Sequence, residues 1–224
     1  MDEPIQELST RTSDCLKVIY TMQERGQKVS TSAVSERLHV SDATVTMLFK
    51  DFAAAGWVEH IPYHGARLTV LGERKAMEVI RHHRLLELYL ARSLGYSWDK
   101  VHAEADKLEH VISEEFEEKL DALLGYPTVD PHGDPIPSKD GVISLRKGCS
   151  LLQLQDGQCA LILRVHDQDA EKLRYLGQLG LYPGTNIQLI ERAPFGGPLR
   201  ILVGPHQVEQ ILGAELAEDI IVAI

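Results

Sequence analysis

The apolar residues at the start of the chain repeat with the period of an α-helix. Leu8, Cys15, Leu16, Ile19 and Met22 predict a helix over 5–25, stopped by Gly26. Ser30 or Thr31 then caps a short helix carrying Val34 and Leu38. After the tight turn of "HVSD", Ser41 or Asp42 caps another that runs to about Ala55, with Gly56 as its stop. Two short helices joined by so brief a turn are the mark of a helix-turn-helix, and the small side chains of Ala33, Ala43 and Thr44 permit close approach. "WVEHIPYHGARLTVLGE" follows as two strands about a turn at His64-Gly65, which completes a winged helix.

Helical spacing returns in "GERKAMEVIRHHRLLELYLARSL". There Met77, Ile80, Leu85, Leu88 and Tyr89 predict a long helix from Thr69 or Gly72 to about Leu94. Gly95-Tyr96-Ser97 breaks it, and Ser97 caps a second helix predicted to run to Leu124-Gly125. Two long helices with a short break form a hairpin with apolar surface suited to dimerisation. "PTVDPHGDPIPSKDG" holds four prolines and two glycines in fifteen residues and reads as a linker.

Beyond it apolar and polar residues alternate, with turns at Asp156-Gly157, Pro183-Gly184 and Gly196-Gly197 and a short helix around "AEKLRYLGQLGL". This predicts a small β-barrel of five or so strands. The expected fold class is multidomain, with α-rich N-terminal two-thirds. A winged helix-turn-helix covers 1–73, a helical hairpin with its linker covers 74–142, and the barrel covers 143–224.

Composition adds two constraints. The three cysteines, Cys15, Cys149 and Cys159, are widely spaced with no CxxC, which speaks against a disulfide framework or a thiolate zinc site and fits a reducing cytosol. "MDEPIQELSTRTSD" is too polar for a signal peptide, and no apolar run approaches the roughly 20 residues that span a bilayer. The expectation is a cytoplasmic protein without a membrane partner. Net charge is −10, and residues 81–140 hold 13 acids against 7 Lys/Arg, so most of the excess lies in the middle of the chain. A nucleic-acid binder ordinarily carries a basic domain. Bound divalent cations would offset the repulsion here.

The middle segment supplies ligands for them. In "HAEADKLEH" a helix places His102, Asp106, Glu109 and His110 (i, i+4, i+7, i+8) within an arc of roughly 100°. A charge-rich helix ordinarily has a solvated face. Here Val101, Ala105, Leu108, Val111 and Ile112 interleave with the ligands, which predicts a partly buried polar site. "HHRLLE" adds His83 and Glu87 at i, i+4, about 5–6 Å apart on one face. Imidazole and carboxylate without thiolate suit a first-row divalent ion. HExxH, GxSxG and a glycine-rich phosphate loop are absent. A metal-dependent hydrolase stays open as the alternative, since an open coordination position can activate water. No candidate general base stands apart from the ligands. A third reading is a metal-buffering or protein-interaction module with a vestigial helix-turn-helix.

The order of these modules, with "HHRLLE", "VHAEADKLEHV" and "GDPIP", resembles the diphtheria toxin repressor family of metal-activated bacterial transcriptional repressors. The match covers essentially the whole chain. The resemblance implies an SH3-like C-terminal module, a homodimer built by the hairpin, and two neighbouring metal sites. The first would combine Asp14 with Asp106, Glu109 and His110. The second would combine His83, Glu87 and His102, completed by a side chain of "HDQDAEK". Asp169 is the first choice there, ahead of Gln168, Glu171 and Lys172. Iron-sensing members have Met and Cys where this chain has Asp14 and Asp106. Carboxylate oxygen favours harder ions, so Mn(II) is the first expectation and Fe(II) the second. The family also holds an anion by an Arg, matched by Arg84. Asp130 and Asp134 stand at positions that are uncharged in the family, and two carboxylates should repel it.

The resemblance further implies that metal draws the first helix onto the hairpin and sets the spacing of the two recognition helices, which must match half-sites of operator DNA. In the recognition helix, Ser41, Thr44, Thr46 and Lys50 are candidates for phosphate contacts. Ala43, Thr44 and Met47 are placed to touch bases, with apolar groups suited to thymine methyls. On the wing, His64 and Arg67 would reach the backbone or minor groove.

Overall fold

A computed structural model describes residues 9–61, 65–144, 146–166 and 169–224. The chain divides into two compact units. One comprises residues up to His82 with Glu109–Ile112 and Pro137–Val142; the other comprises His83–Leu108, Ser113–Ile136 and Ile143–Ile224. Among the described residues no helix is long and apolar enough to cross a membrane.

The first unit opens with α1 (Thr10–Glu24), α2 (Thr31–Leu38) and α3 (Asp42–Ala54). Each starts at a serine, as the polar punctuation requires: the hydroxyls of Ser9, Ser30 and Ser41 accept from the amides of Thr12, Ala33 and Thr44. Between α2 and α3, His39 takes the left-handed conformation at φ 52° and the Ser35 hydroxyl donates to Asp42, which fixes the turn. Strands β1 (Val58–Ile61) and β2 (Gly65–Leu68) pair antiparallel as the wing. Cys15, Leu16, Ile19 and Met22 of α1 pack with Val34, Val45, Phe52, Val58 and Leu68 to form the core of this unit. The long helix α4 (Val70–Leu94) carries both unit labels, the boundary falling after His82.

The hairpin's return arm departs from the sequence reading. It is not one helix to Leu124 but two, α5 (Val101–Leu108) and α6 (Glu114–Leu123). The break has a local cause: the Ser113 side chain accepts from the Phe116 amide and starts a new helix. The proline-rich segment also does more than link. The Asp130 amide donates to the Asp134 carbonyl, Val129 bridges Pro135, and the Ile136 amide donates to the Thr128 carbonyl, so it folds back on itself.

The C-terminal sheet has six strands in the order β3-β8-β4-β5-β6-β7, all antiparallel. These are β3 (Cys149–Ser150), β4 (Cys159–Val165), β5 (Asn186–Arg192), β6 (Leu199–Val203), β7 (Val208–Leu212) and β8 (Ile220–Ala223), with α7 (Ala170–Gln178) and α8 (Ala214–Glu218) between them. The expected five-stranded barrel is corrected here: the sheet stays open, with β3 and β7 as its edges. A two-residue β3 cannot supply the ladder that closure needs. Ile162, Leu189, Leu199, Ile201 and Val222 lie on the inner face at period two and pack with Leu173 and Leu176 of α7.

One glycine fixes the proline-rich segment to this sheet. Gly133 has φ +85°, and a Cβ there would stand 2.1 Å from the carbonyl oxygen of Leu163 on β4. Next to it Val165 donates to the His132 carbonyl at 2.9 Å. Gly133→Ala is therefore expected to destabilise the protein by roughly 1–3 kcal/mol, read as a lower urea midpoint with unchanged slope. An unchanged midpoint would mean that the segment does not need this close approach.

Candidate metal centre

Among the described residues, three groups of ligand-bearing side chains each lie within one unit. The first joins Asp14 of α1 to Glu109 and His110, the two residues that follow α5 in the chain. Helical spacing buries Cys15, Leu16 and Ile19 in the core and leaves Asp14 at the half-buried edge of α1. Nε2 of His110 lies 3.2 Å from Oδ1 of Asp14 and 3.5 Å from Oε1 of Glu109. The Glu109 carboxylate is wholly buried and meets Nζ of Lys17 at 2.7 Å. Burial, with Asp14 beside it, pushes the Cys15 thiol up to about 12.

The second group joins His83 and Glu87 of α4 to His102 and Asp106 of α5, two i, i+4 pairs. Nε2 of His83 is 2.9 Å from Oε1 of Glu87 and 2.9 Å from Nδ1 of His102, and that nitrogen is 3.2 Å from the same Glu87 oxygen. Asp106 completes the ring, at 3.3 Å from Nδ1 of His83 and 3.5 Å from Nε2 of His102. The structure thus brings together His83, Glu87 and His102 and sets Asp106 with them, while Asp14, Glu109 and His110 form the first group.

A third group was not legible in the sequence: Glu87, Asp130 and His132, all buried. His132 sits in the proline-rich segment, outside any periodic pattern. Its Nδ1 lies 3.8 Å from Oε2 of Glu87 and 3.9 Å from Oδ2 of Asp130, and its Nε2 is 2.8 Å from the Trp98 carbonyl. Burial disfavours its charge, but Asp130 and Glu87 outweigh it and raise the imidazole to about 11. Burial likewise raises Asp130, to about 6, against the pull of His132. Glu87 is desolvated too, yet His83, His102 and His132 hold its carboxyl well below the usual range. A buried carboxylate among imidazoles is the charge arrangement a cation would take over.

Neighbouring residues have other duties. Arg84 donates to the Pro135 carbonyl at 2.5 Å and stands 4.0 Å from Asp130. Asp134, despite burial, is held ionised by His166, Arg84 and Arg164. Asp169 belongs to none of the ligand groups among the described residues; it caps α7, its Oδ1 accepting from the amides of Glu171 and Lys172. Lys172 lies 3.8 Å from Glu215 and 4.0 Å from Asp219. Gln168 lies outside the described residues.

On α3, Ala43, Thr46, Met47 and Lys50 share one exposed face, Met47 at 65%. Ser41 and Thr44 are tied to the cap by a 2.9 Å hydroxyl contact, and Thr46 donates to the Asp42 carbonyl. Arg67 is exposed on β2, and His64 lies outside the described residues.

All three groups offer imidazole nitrogen and carboxylate oxygen, and the ligand atoms lie within 4.8 Å of one another in each of the sets Asp14–Glu109–His110, His83–His102–Asp106 and Glu87–Asp130–His132. Those donors and that spacing fit a first-row divalent ion.

Three family models match in succession: the iron dependent repressor N-terminal DNA binding domain over residues 7–66, the iron dependent repressor metal binding and dimerisation domain over 69–138, and the FeoA domain over 149–224. The chain is 30% identical to the iron-dependent repressor of Mycobacterium leprae (strain TN) over 229 residues, covering 94% of this chain and 99% of that protein. It is 31% identical to the diphtheria toxin repressor of Corynebacterium efficiens over 200 residues, 83% of this chain and 85% of that one. A solved manganese-dependent transcriptional repressor in complex with manganese superposes with a TM-score of 0.87 at 37% identity, over 95% of this chain and 99% of that chain. These relatives are transcriptional repressors, and the hydrolase reading finds no support among them.

Proposed function

We propose, on the premise that this chain belongs to the diphtheria toxin repressor family of metal-dependent transcriptional repressors, that it is a cytoplasmic homodimer which binds Mn(II), or second Fe(II), and then operator DNA of metal-homeostasis genes. The domains would be the winged helix over 1–73, the hairpin and proline-rich segment over 74–142 and the SH3-like module over 143–224. The carrying observation is the first ligand group. Asp14 belongs to the helix that opens the DNA-binding domain, and Glu109 and His110 follow directly on α5. One ion supplies them with positive charge and fixed coordination.

Asp14 then ties α1 to the turn after α5, so that the positions of Ala43, Thr44 and Met47 relative to a second copy are set. Dimeric helix-turn-helix proteins need that spacing to match half-sites about one helical turn apart or a multiple of it. Ser41, Thr46, Lys50 and Arg67 would meet phosphates, giving a salt-sensitive affinity. Asp14, Glu109, His110, His83, Glu87, His102 and Asp106 are the proposed ligands. Three carboxylates and no thiolate among the side chains of Asp14, Asp106 and Glu109 favour the harder ion. Asp169 would join them only by giving up its cap.

The experiment is DNA binding by metal-free protein to its own upstream region, titrated separately with Mn(II) and anaerobic Fe(II). Affinity is expected to rise by roughly 5–150-fold with metal, the usual range of such coupling, and Mn(II) is expected to act at lower free concentration. Binding indifferent to both ions would remove the switch.

A further inference from the structure

One cation already sits in the Asp14 group. Lys17 lies one turn along α1 from Asp14, with Nζ 2.7 Å from Oε1 of Glu109. That oxygen is the one 3.5 Å from Nε2 of His110, so the ammonium and a coordinated ion would both draw on it. The Glu109 side chain has no exposed surface, whereas Lys17 keeps 19% of its own. Burying a lone carboxylate is strongly unfavourable, and removing the partner of a buried pair leaves that penalty uncompensated. The pair is therefore no ordinary surface salt bridge. A protonated lysine has three donors and no lone pair, so it cannot join the coordination of an ion. It does have a flexible stem that can carry its charge out to water.

We propose that Lys17 is the resident cation of this site. It neutralises Glu109 in the metal-free protein and competes with the divalent ion for that carboxylate. It thereby sets the concentration at which the group fills. This rests on the metal-sensing reading above. Filling the site moves the ammonium from Glu109 to solvent, which lowers the apparent affinity relative to a group with no such competitor.

The test uses full-length protein freed of metal, with Mn(II) binding followed by titration calorimetry and by the electron paramagnetic resonance signal of free Mn(II). Wild type, Lys17→Met and Lys17→Arg are compared, each also with Asp14→Ala. Lys17→Met is expected to tighten one class of sites by about tenfold or more, since a unit charge a few ångströms away is removed. Lys17→Arg should remain within about threefold of wild type, because charge is kept. The gain should vanish with Asp14→Ala. In metal-free protein, Lys17→Met should lower the urea midpoint and the added Glu109→Gln should restore it, the signature of a coupled pair.

A folded Lys17→Met protein that binds Mn(II) no more tightly than wild type overturns the proposal. Asp14-dependent binding that appears only in Lys17→Met would support the competition while refuting metal sensing by the native group. Its absence from both proteins would refute both readings.

Discussion

Glu87→Ala is expected to lower the stability of the metal-free protein by about 3–5 kcal/mol, the range for removing one partner of a buried ion pair. Glu87 is 3% exposed and turns both oxygens to imidazoles: Oε1 to His83 and His102, Oε2 to His132. Its removal leaves His132, whose proton is held to about 11, buried with Asp130 as its remaining named carboxylate. Urea denaturation of metal-stripped protein measures the loss, and a drop below about 1 kcal/mol would show that the group is neutral when metal is absent.

The same experiment has a pH dependence of fixed sign. The folded value of His132, about 11, lies above its ordinary 6.5. Its contribution is therefore complete below the unfolded value and is lost as pH rises toward the folded one, so the wild-type midpoint should fall between about pH 7 and 10. In Glu87→Ala that fall should be shallower.

Asp14→Ala is expected to abolish the effect of metal on DNA affinity, taking the gain from roughly 5–150-fold to none. Metal-free stability should change by less than about 1 kcal/mol, because the Asp14 side chain is 35% exposed. Asp106→Ala provides the contrast. Asp106 contacts His83 and His102. Its loss should weaken metal binding at the second group and leave a reduced, still metal-dependent DNA affinity. Filter binding or fluorescence anisotropy at matched free Mn(II) separates the two. An Asp14→Ala protein that still responds fully to metal would move the switch to another group.

Much of this arrangement was open to reading from local chemistry. Serines at 9, 30 and 41 and glycines at 26 and 56 punctuate the winged helix, so its elements follow from capping and turn preferences alone. His83, Glu87, His102 and Asp106 could be paired because i, i+4 spacing holds within each of α4 and α5. The reading that His102, Asp106, Glu109 and His110 share one face assumed one unbroken helix, and "KLEHVISEEF" keeps apolar and charged residues in helical rhythm throughout. The structure ends α5 at Leu108 and restarts a helix at Glu114, so the helical stretch is interrupted after Leu108. A serine cap inside a periodic stretch competes with helix continuation, and the pattern alone does not say which prevails. His132 was beyond local reasoning altogether. Its place depends on the proline-rich segment folding back, which is a tertiary contact and leaves no period in the sequence. Asp169 shows the converse: an acid just before "AEKL" satisfies the amides of a helix start, and that local use takes up the oxygen that a ligand role would need.

Glu87 serves two masters, since its two oxygens face different imidazole clusters. A single carboxylate has one unit of charge to share. An ion held by His83 and His102 would draw on the same charge that stabilises the proton of His132. Ion binding on the His83 side and the proton of His132 would therefore be linked, and a binding isotherm for this protein should be fitted with a proton-coupling constant. The sign of that constant reports whether taking up the ion releases that proton or leaves it in place.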